Sequence, residues 1–351
     1  MKQPGTAIWL LLDSRLAGGI ESHVLQLAEG LQAYGEHVQV VFLTDYGHHP
    51  TVEQLRQRQI TTIKLDGRFS SLEKTVRCTR PTLIHTHGYK AGIYGRLAAL
   101  FNGVPVISTY HAGETPKGKL AFYDWLDRQS ARLCNRVYAV SRQIEKRLPV
   151  AADIMDNFIN TRDLPLCNGL KIAFAGRLSY EKGADYFLEL ARRLPKQDFH
   201  IYGDGPDAAS LKVLAPDNVC FHGHQKEMSR VWPAIGLLIM PSRHEGLPMA
   251  ALEAMGRGIP VVASRVGALD QLVDTNENGW LVETGDLPTF TTLIQKWLEL
   301  PESAKQNFKH AARNKVAQRF SSDVAIPRLV SEYRQISRFS HVATQNRNLH
   351  R

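Results

Sequence analysis

The chain has 351 residues, of which 43% are hydrophobic and 22% are charged, and its formal net charge is +9. This length suits two domains of ordinary size, and this composition excludes a disordered protein. The positive charge is compatible with nucleic acid, anionic lipid or a sugar nucleotide as a partner and does not choose among them. No run of five or more residues is rich in Lys and Arg, so the sequence offers no basic arm for nucleic acid.

The cysteines and the N-terminal segment bear on the compartment. The four cysteines are far apart and include no Cys-x-x-Cys pair, which is typical of reduced cysteines and not of a disulfide framework or zinc site. The apolar run 7–12 is too short for a secretory signal, and no stretch reaches the roughly eighteen apolar residues of a membrane span. We therefore expect a cytoplasmic protein with at most peripheral contact to the inner face of the membrane.

The first half of the sequence alternates predicted strands and helices. Residues 7–12 form a continuous apolar run, as in a strand buried on both faces of a parallel sheet. Gly18 and Gly19 follow in a loop, and the apolar spacing after them predicts a helix that ends near Gly35. Further strands are predicted at 38–43, 83–86, 105–109 and 136–140.

A second series begins after a break at 160–169, where Asp, Pro and an Asn-Gly pair predict a linker. Its strands are predicted at 171–175, 199–202, 219–222, 237–240 and 260–263. Two such series predict an α/β protein of two Rossmann-like, doubly wound domains, residues 1–164 and 169–321, that face each other across a cleft. Ligands of such sheets bind beyond the carboxyl ends of the strands, so the loops there are the candidates for function.

The strongest motif runs from Arg243 to Pro260, follows a buried strand and opens a helix with Pro248 at the predicted first helical position. Free N–H groups at such a helix start bind phosphate, here around the residues Gly246, Leu247, Pro248 and Met249. Glu245 and Glu253 are eight residues apart, and they are suited to accept hydrogen bonds from sugar hydroxyls on the two sides of a pyrophosphate.

Two further motifs follow the first strand of each predicted domain. Arg177 and Lys182 place two cations on one strand-to-helix loop, where they can clamp a diphosphate and stabilise its charge as it leaves. Gly18 and Gly19 let the backbone approach a ligand closely at another helix start.

Together these motifs resemble the family 4 retaining glycosyltransferases of the GT-B architecture, and the resemblance covers most of the chain. The matching residues are Gly18-Gly19-x-Glu21, Ile84-His-Thr-His87-Gly88, His111, Asp156-Asn157, Gly176-Arg177…Glu181-Lys182-Gly183, Gly203-Asp-Gly205, Glu245…Glu253 and the Gly-x-Pro-Val-Val string 258–262.

The resemblance implies a role for each matching site residue. Arg177 and Lys182 would hold the donor pyrophosphate and Glu253 the ribose, while Glu245 would lie against the donor sugar. The backbone of Gly18 and Gly19 would face the diphosphate, and His111 would touch the sugar. A final helix of about 324–338 would cross back onto the first domain, and the domains would close on the donor.

Other motifs were weighed against this interpretation. Gly203-Asp-Gly205 follows a strand as in a dinucleotide-binding fingerprint, but the next strand ends without the acidic residue that binds ribose. No Gly-x4-Gly-Lys-Ser/Thr P-loop occurs. His85-x-His87 and His222-x-His224 have the spacing of metal ligands without a set of Cys or carboxylates to complete a site. We expect no metal ion and no cofactor.

The stretch 117–133 mixes aromatic residues with Lys and Arg, and it has two interpretations. Exposed, it could lie on an anionic membrane surface; buried on its apolar side, it is a helix packed on the first domain.

We therefore expect a retaining, metal-independent glycosyltransferase that moves a sugar from a nucleoside-diphosphate sugar, of the UDP-hexose type, to a hydroxyl of a glycan or glycolipid. The resemblance indicates bacterial cell-envelope polysaccharide or lipopolysaccharide synthesis. A GT-B sugar-nucleotide epimerase and a non-catalytic nucleotide-sugar-binding protein remain as alternatives, and nucleic acid is not an expected partner.

Overall fold

The structure, a computed structural model, describes residues 7–15, 18–111, 118–162 and 164–349, without the side chains at 119 and 339–349. The chain divides into two compact units. One comprises the residues up to Asp156 together with those from Ser322 on, and the other is Asn157–Ser321.

The first unit is built on a seven-stranded parallel sheet with the order β3-β2-β1-β4-β5-β6-β7. Its strands are β1 (Ile8–Leu12), β2 (Val38–Phe42), β3 (Thr61–Lys64), β4 (Leu83–His87), β5 (Val106–Tyr110), β6 (Arg136–Ala139) and β7 (Asp153–Ile154). The helices between them are α1 (Gly19–Ala33), α2 (Pro50–Gln57), α3 (Phe69–Thr79), α4 (Tyr89–Asn102), α5 (Lys119–Ser130) and α6 (Arg142–Glu145).

The apolar run at the start of the sequence forms the centre of this sheet. Strand β1 is buried along its whole length, and Leu10 lies beside Val40 of β2 and His85 of β4. The strand order reverses between β1 and β4, so the loops that follow β1 and β4 meet at the position where ligands of such sheets bind.

The second unit has a six-stranded parallel sheet with the order β10-β9-β8-β11-β12-β13. Its strands are β8 (Lys171–Ala175), β9 (Phe199–Tyr202), β10 (Val219–Phe221), β11 (Ile235–Met240), β12 (Val261–Ser264) and β13 (Gly279–Val282). Its helices are α7 (Ala184–Arg193), α8 (Ala208–Leu214), α9 (Met249–Gly256), α10 (Leu269–Leu272), α11 (Leu287–Glu299) and α12 (Glu302–Arg319). The order reverses between β8 and β11, the two strands that precede the strongest motifs.

The boundary between the units falls earlier than the linker predicted at 160–169. Asn157 donates a hydrogen bond to the carbonyl of Leu247 at 2.6 Å, and Ile159 pairs with Ser321. Phe158 is fully buried. Since these residues pack within the second unit, the segment from Asn157 on belongs to it.

The last helix, α13 (Ser322–Leu349), belongs to the first unit and is longer than the predicted helix at 324–338. Ile326 packs on α1 at Gly30, where an added Cβ would lie 2.6 Å from the isoleucine side chain. The hydroxyl of Tyr333 is hydrogen-bonded to Nδ1 of His85, and Tyr138 donates to Glu332. Both an apolar contact and buried hydrogen bonds therefore attach this helix.

Candidate active site

In the second unit, two glycines bring the predicted Arg177–Lys182 loop against its neighbours. Gly183 has a φ of +67°, and an added Cβ there would lie 2.0 Å from the carbonyl oxygen of Pro241. A Cβ at Gly203 would lie 1.8 Å from the carbonyl oxygen of Gly176. The glycines of Gly203-Asp-Gly205 thus permit close backbone packing, which explains this motif without a dinucleotide.

The two strongest sequence motifs meet in an ion pair. Nζ of Lys182 donates to Oε2 of Glu245 at 2.6 Å, and Oγ of Ser242 donates to Oε1 of the same carboxylate at 2.9 Å. The Glu245 side chain is 3% exposed, whereas that of Lys182 is 29% exposed. The ammonium group is therefore held by a buried carboxylate and still reaches solvent.

A second contact between these loops escaped the sequence interpretation. The guanidinium of Arg243 lies 4.1 Å from the ring centroid of Tyr180 and 3.9 Å from that of Tyr186. It also makes two hydrogen bonds to Asp185, at 2.8 and 2.6 Å, which raise the pKa of Arg243. Stacked and bidentate contacts of this kind fix an arginine. The sequence could not reveal this contact, because Arg243 lies far along the chain from Tyr180 and Tyr186.

Helix α9 differs in one detail from the prediction. Pro248 is the N-cap and not the first helical residue, because its ψ of 128° is extended, and the helix begins at Met249. Leu247 and Met249 are buried in the hydrophobic core of this unit. Any ligand contact from this segment must therefore come from the backbone, where Gly246 is partly exposed.

The remaining predicted donor residues of this unit are accessible. Arg177 is exposed, and Glu253, which lies on α9, is half-buried. Oε2 of Glu253 accepts a hydrogen bond from Nε1 of Trp232 at 3.2 Å. The structure thus brings Lys182 together with Glu245, while Glu253 is oriented separately by a buried tryptophan.

In the first unit, His111 is part of a histidine cluster. Nε2 of His111 lies 3.0 Å from Nδ1 of His87, and the ring of His23 meets the His111 ring edge-on with centroids 4.8 Å apart. Burial lowers the pKa of His87 and that of His111 well below 6.5, so both imidazoles are neutral at pH 7. Sequence analysis singled out His111 without this environment.

The structure also shows how the two His-x-His pairs, considered above as possible metal ligands, are bonded. Both ring nitrogens of His85 are hydrogen-bonded, to Tyr333 and to Thr109, and His222 pairs with His200. The nitrogens that do approach one another are those of His23, His87 and His111, which lie within 4.8 Å. Among the described residues, the histidines with metal-ligand spacing therefore come from three elements and match neither pair.

Gly18 and Gly19 begin α1 as predicted. Gly18 is the N-cap with extended backbone, and both glycines are exposed. A Cβ at Gly19 would meet no described atom within 4 Å. The described fold therefore tolerates a side chain at Gly19, and the predicted ligand contact of its backbone stays a prediction.

The predicted stretch 117–133 is mostly helix α5, with Lys117 outside the described residues. Four large apolar residues on it are half or more exposed, namely Leu120 (59%), Phe122 (60%), Tyr123 (50%) and Trp125 (50%). Beneath the helix lies a cavity of about 610 Å³ whose lining includes Leu120, Tyr123, Asp13 and His111. The apolar side chains of this helix are therefore not all packed on the first unit, and contact with a membrane stays a prediction.

Two parallel sheets with these loops at their switch points are the domain organisation expected of the GT-B architecture. The profile of Glycosyltransferase Family 4 matches residues 17–151, and that of Glycosyl transferases group 1 matches residues 169–299. The chain belongs to the family 4 glycosyltransferases.

Relatives and solved structures agree with this assignment. UDP-Gal:alpha-D-GlcNAc-diphosphoundecaprenol alpha-1,3-galactosyltransferase of Escherichia coli is 28% identical over 68% of this chain and 71% of its own length. Glycogen synthase of Mycobacterium tuberculosis is 25% identical over 87% of both chains. The fold matches that of Anabaena HepE in complex with UDP and glucose, with a TM-score of 0.82, 18% identity and coverage of 93% and 99% of the two chains.

Proposed function

We propose that the protein transfers a hexose from a UDP-sugar to a hydroxyl of a glycolipid in bacterial cell-envelope polysaccharide or lipopolysaccharide synthesis, with retention and without a metal ion. The observation that carries the proposal is the pairing of Lys182 with Glu245 at the switch point of the second sheet. It supplies a cation for a diphosphate and, beside it, a carboxylate for a sugar. UDP in the HepE complex and in the name of the Escherichia coli relative supports the donor.

Each residue has a defined task in this reaction. Arg177 and Lys182 bind the diphosphate, the backbone near Gly246 adds N–H donors, and Glu253 binds the ribose. The C1–O bond to the diphosphate breaks, and a bond from C1 to the acceptor oxygen forms on the same face. The acceptor proton passes to a donor phosphate oxygen. Fixed cations and N–H groups stabilise the departing diphosphate, a role for which other enzymes use a divalent ion.

The evidence for a glycolipid acceptor comes from the first unit. Exposed aromatic side chains on α5 suit the boundary between lipid headgroups and acyl chains. The cavity beneath them is lined by residues of the first unit, His111 among them, and it offers an apolar chain of the acceptor a place to bind. Among the helices that the structure describes, none combines the length and apolar character that crossing a bilayer requires.

A panel of UDP-, GDP- and ADP-sugars tests the donor. We expect UDP-hexoses to raise the melting temperature and to release UDP when a polyprenyl-diphosphate-linked sugar is added. Epimerised donor without acceptor would support the epimerase, and thermal protection without turnover would support a binding protein. Protection by GDP- or ADP-sugars alone would overturn the UDP assignment.

A further inference from the structure

The histidine cluster of the first unit contains three rings, although only His111 was given a contact with a ligand. His87 ends β4, His111 follows β5 and His23 lies on α1, so three separate elements deliver their rings to one place. His23 and His87 are fully buried, and the three rings touch pairwise with centroid distances between 4.8 and 5.5 Å. His111 is partly buried, and bringing the two other imidazoles out of water requires a compensating interaction.

The hydrogen bond between His87 and His111 determines which nitrogens carry protons. Two neutral imidazoles that share one bond must have one donor and one acceptor. Nε2 of His87 is buried and has no hydrogen-bond partner among the described residues. A buried N–H without a partner is rarer than a buried acceptor without one. This favours an unprotonated Nε2 on His87, with its Nδ1–H as the donor to Nε2 of His111, and these two nitrogens lie 3.0 Å apart.

We propose that His87 and His23 are positioning residues for His111: the His87 hydrogen bond selects the Nδ1–H tautomer of His111, and the His23 ring restricts its rotation. His111 then presents a neutral N–H donor in the cavity that it lines. The proposal rests on the proposed function and on the contact between His111 and the donor sugar that the family resemblance implies. A neutral donor stabilises a sugar oxygen without adding a charge beside the oxocarbenium-like centre.

Chelation of a transition metal by the three histidines is the competing use of the cluster. The hydrogen bond between His87 and His111 already uses one ring nitrogen of each of these two histidines. The hydrogen-bonded arrangement is therefore the one that the geometry favours.

Three substitutions at one position separate the hydrogen bond from packing. His87→Asn places an amide donor near the position of Nδ1, His87→Gln places it near Nε2, and His87→Leu removes it. We expect His87→Leu and His87→Gln to lower kcat about tenfold or more with KM for the donor nearly unchanged, and His87→Asn to recover most of the loss. His23→Phe keeps the ring and should retain more activity than His23→Ala.

The tautomer of His111 is read directly from ¹⁵N long-range NMR spectra of the ligand-free full-length protein, with His111→Ala to assign the signals. The Nδ1–H tautomer should dominate in the wild type and in His87→Asn, and it should be lost in His87→Gln and His87→Leu. An unchanged tautomer or full activity in both of these variants would overturn the proposal. So would stoichiometric Zn²⁺ binding at these histidines that raises activity. Absence of turnover with every donor would overturn the proposed function, while the tautomer measurement would still decide the positioning role.

Discussion

Arg177 and Lys182 lie on one loop but in different surroundings. Arg177 is exposed, whereas Lys182 neutralises the buried carboxylate of Glu245. Removing one partner of a buried ion pair leaves an uncompensated charge, so the two residues differ in what their loss does to stability.

We expect Arg177→Ala to weaken UDP binding without a change in melting temperature. A hydrogen bond to a charged group contributes about 1.5–3 kcal/mol, so the affinity should fall about tenfold or more. Lys182→Ala should weaken binding similarly and also lower the melting temperature. Calorimetry with UDP and thermal unfolding measure both effects, with Arg193→Ala, on the exposed side of α7, as the control. Wild-type affinity in both variants would remove these residues from the donor site.

The buried histidines predict how stability depends on pH. Burial lowers the pKa of His85 to about 3 and that of His87 well below 6.5. The unfolded chain binds these protons as the pH falls below about 6.5 and the folded chain does not, so stability is present above this pH and is lost below it. Below about pH 6.5, each of these histidines should lower the free energy of unfolding by about 1.4 kcal/mol per pH unit.

Urea unfolding at a series of pH values between about 7.5 and 5 measures this loss. Asp127 acts in the opposite direction, because burial raises its pKa to about 6 and its protonation favours the folded state. A smaller slope in His85→Gln than in the wild type would confirm the assignment, and a stability that rises steadily as the pH falls would contradict it.

At the scale of elements, the sequence predicted the strands with long apolar runs and missed three others. β3 is Thr-Thr-Ile-Lys with a largely exposed pattern, β7 has only two residues, and β13 begins at a glycine. Such short edge segments carry too little periodicity to be recognised. Central strands such as β1 and β11 are apolar on both faces, which is why they were found.

The candidate site shows the same division. Glycines and charged residues that follow central strands, such as Gly19, Lys182 and Glu245, were identified from local context. The contact between Lys182 and Glu245 was not, because it joins residues far apart in sequence. The Lys182–Glu245 pair and the stacking of Arg243 between two tyrosines depend on how two loops pack, and no local pattern encodes that.

Two glycine substitutions separate a ligand role from a folding role. The Cβ that Gly19→Ala adds would meet no described atom within 4 Å, so the fold should be retained. Turnover should fall, because the added methyl group shields the backbone from the diphosphate. Gly183 has a positive φ, and the Cβ that Gly183→Ala adds would collide with the carbonyl oxygen of Pro241. This substitution should therefore lower the free energy of unfolding by more than about 1 kcal/mol. Thermal unfolding and initial rates distinguish them, and a fully active Gly19→Ala would contradict the role given to that glycine.

The exposed face of α5 predicts binding to lipid. Phe122 and Trp125 stack on each other with ring centroids 6.1 Å apart, and replacing both with Gln should weaken binding to anionic vesicles about tenfold or more. Val213→Gln on α8 is the control, since Val213 is 85% exposed in the second unit. Co-sedimentation with anionic and zwitterionic vesicles measures the effect. Equal binding of the double variant and the wild type would show that α5 is not the contact.

At the scale of the whole molecule, the two units are organised differently along the chain. The second is one continuous segment, Asn157–Ser321, with its own buried clusters on both faces of its sheet. The first is completed only by α13, which follows the second unit in sequence. Apart from Gly18 and Gly19, the donor residues that we propose thus lie in a segment that is contiguous in sequence. His85, whose ring packs on His87 of the histidine cluster, is hydrogen-bonded to Tyr333 of α13.

The central claim is that fixed protein charges, and not a metal ion, support transfer from a UDP-sugar. Its most direct test is UDP formation from a UDP-hexose and a polyprenyl-diphosphate-linked acceptor in excess EDTA. We expect the same rate with and without EDTA, because Arg177, Lys182 and the N–H groups near Gly246 supply the positive field. Loss of activity in EDTA with recovery on adding Mg²⁺ or Mn²⁺ would contradict it.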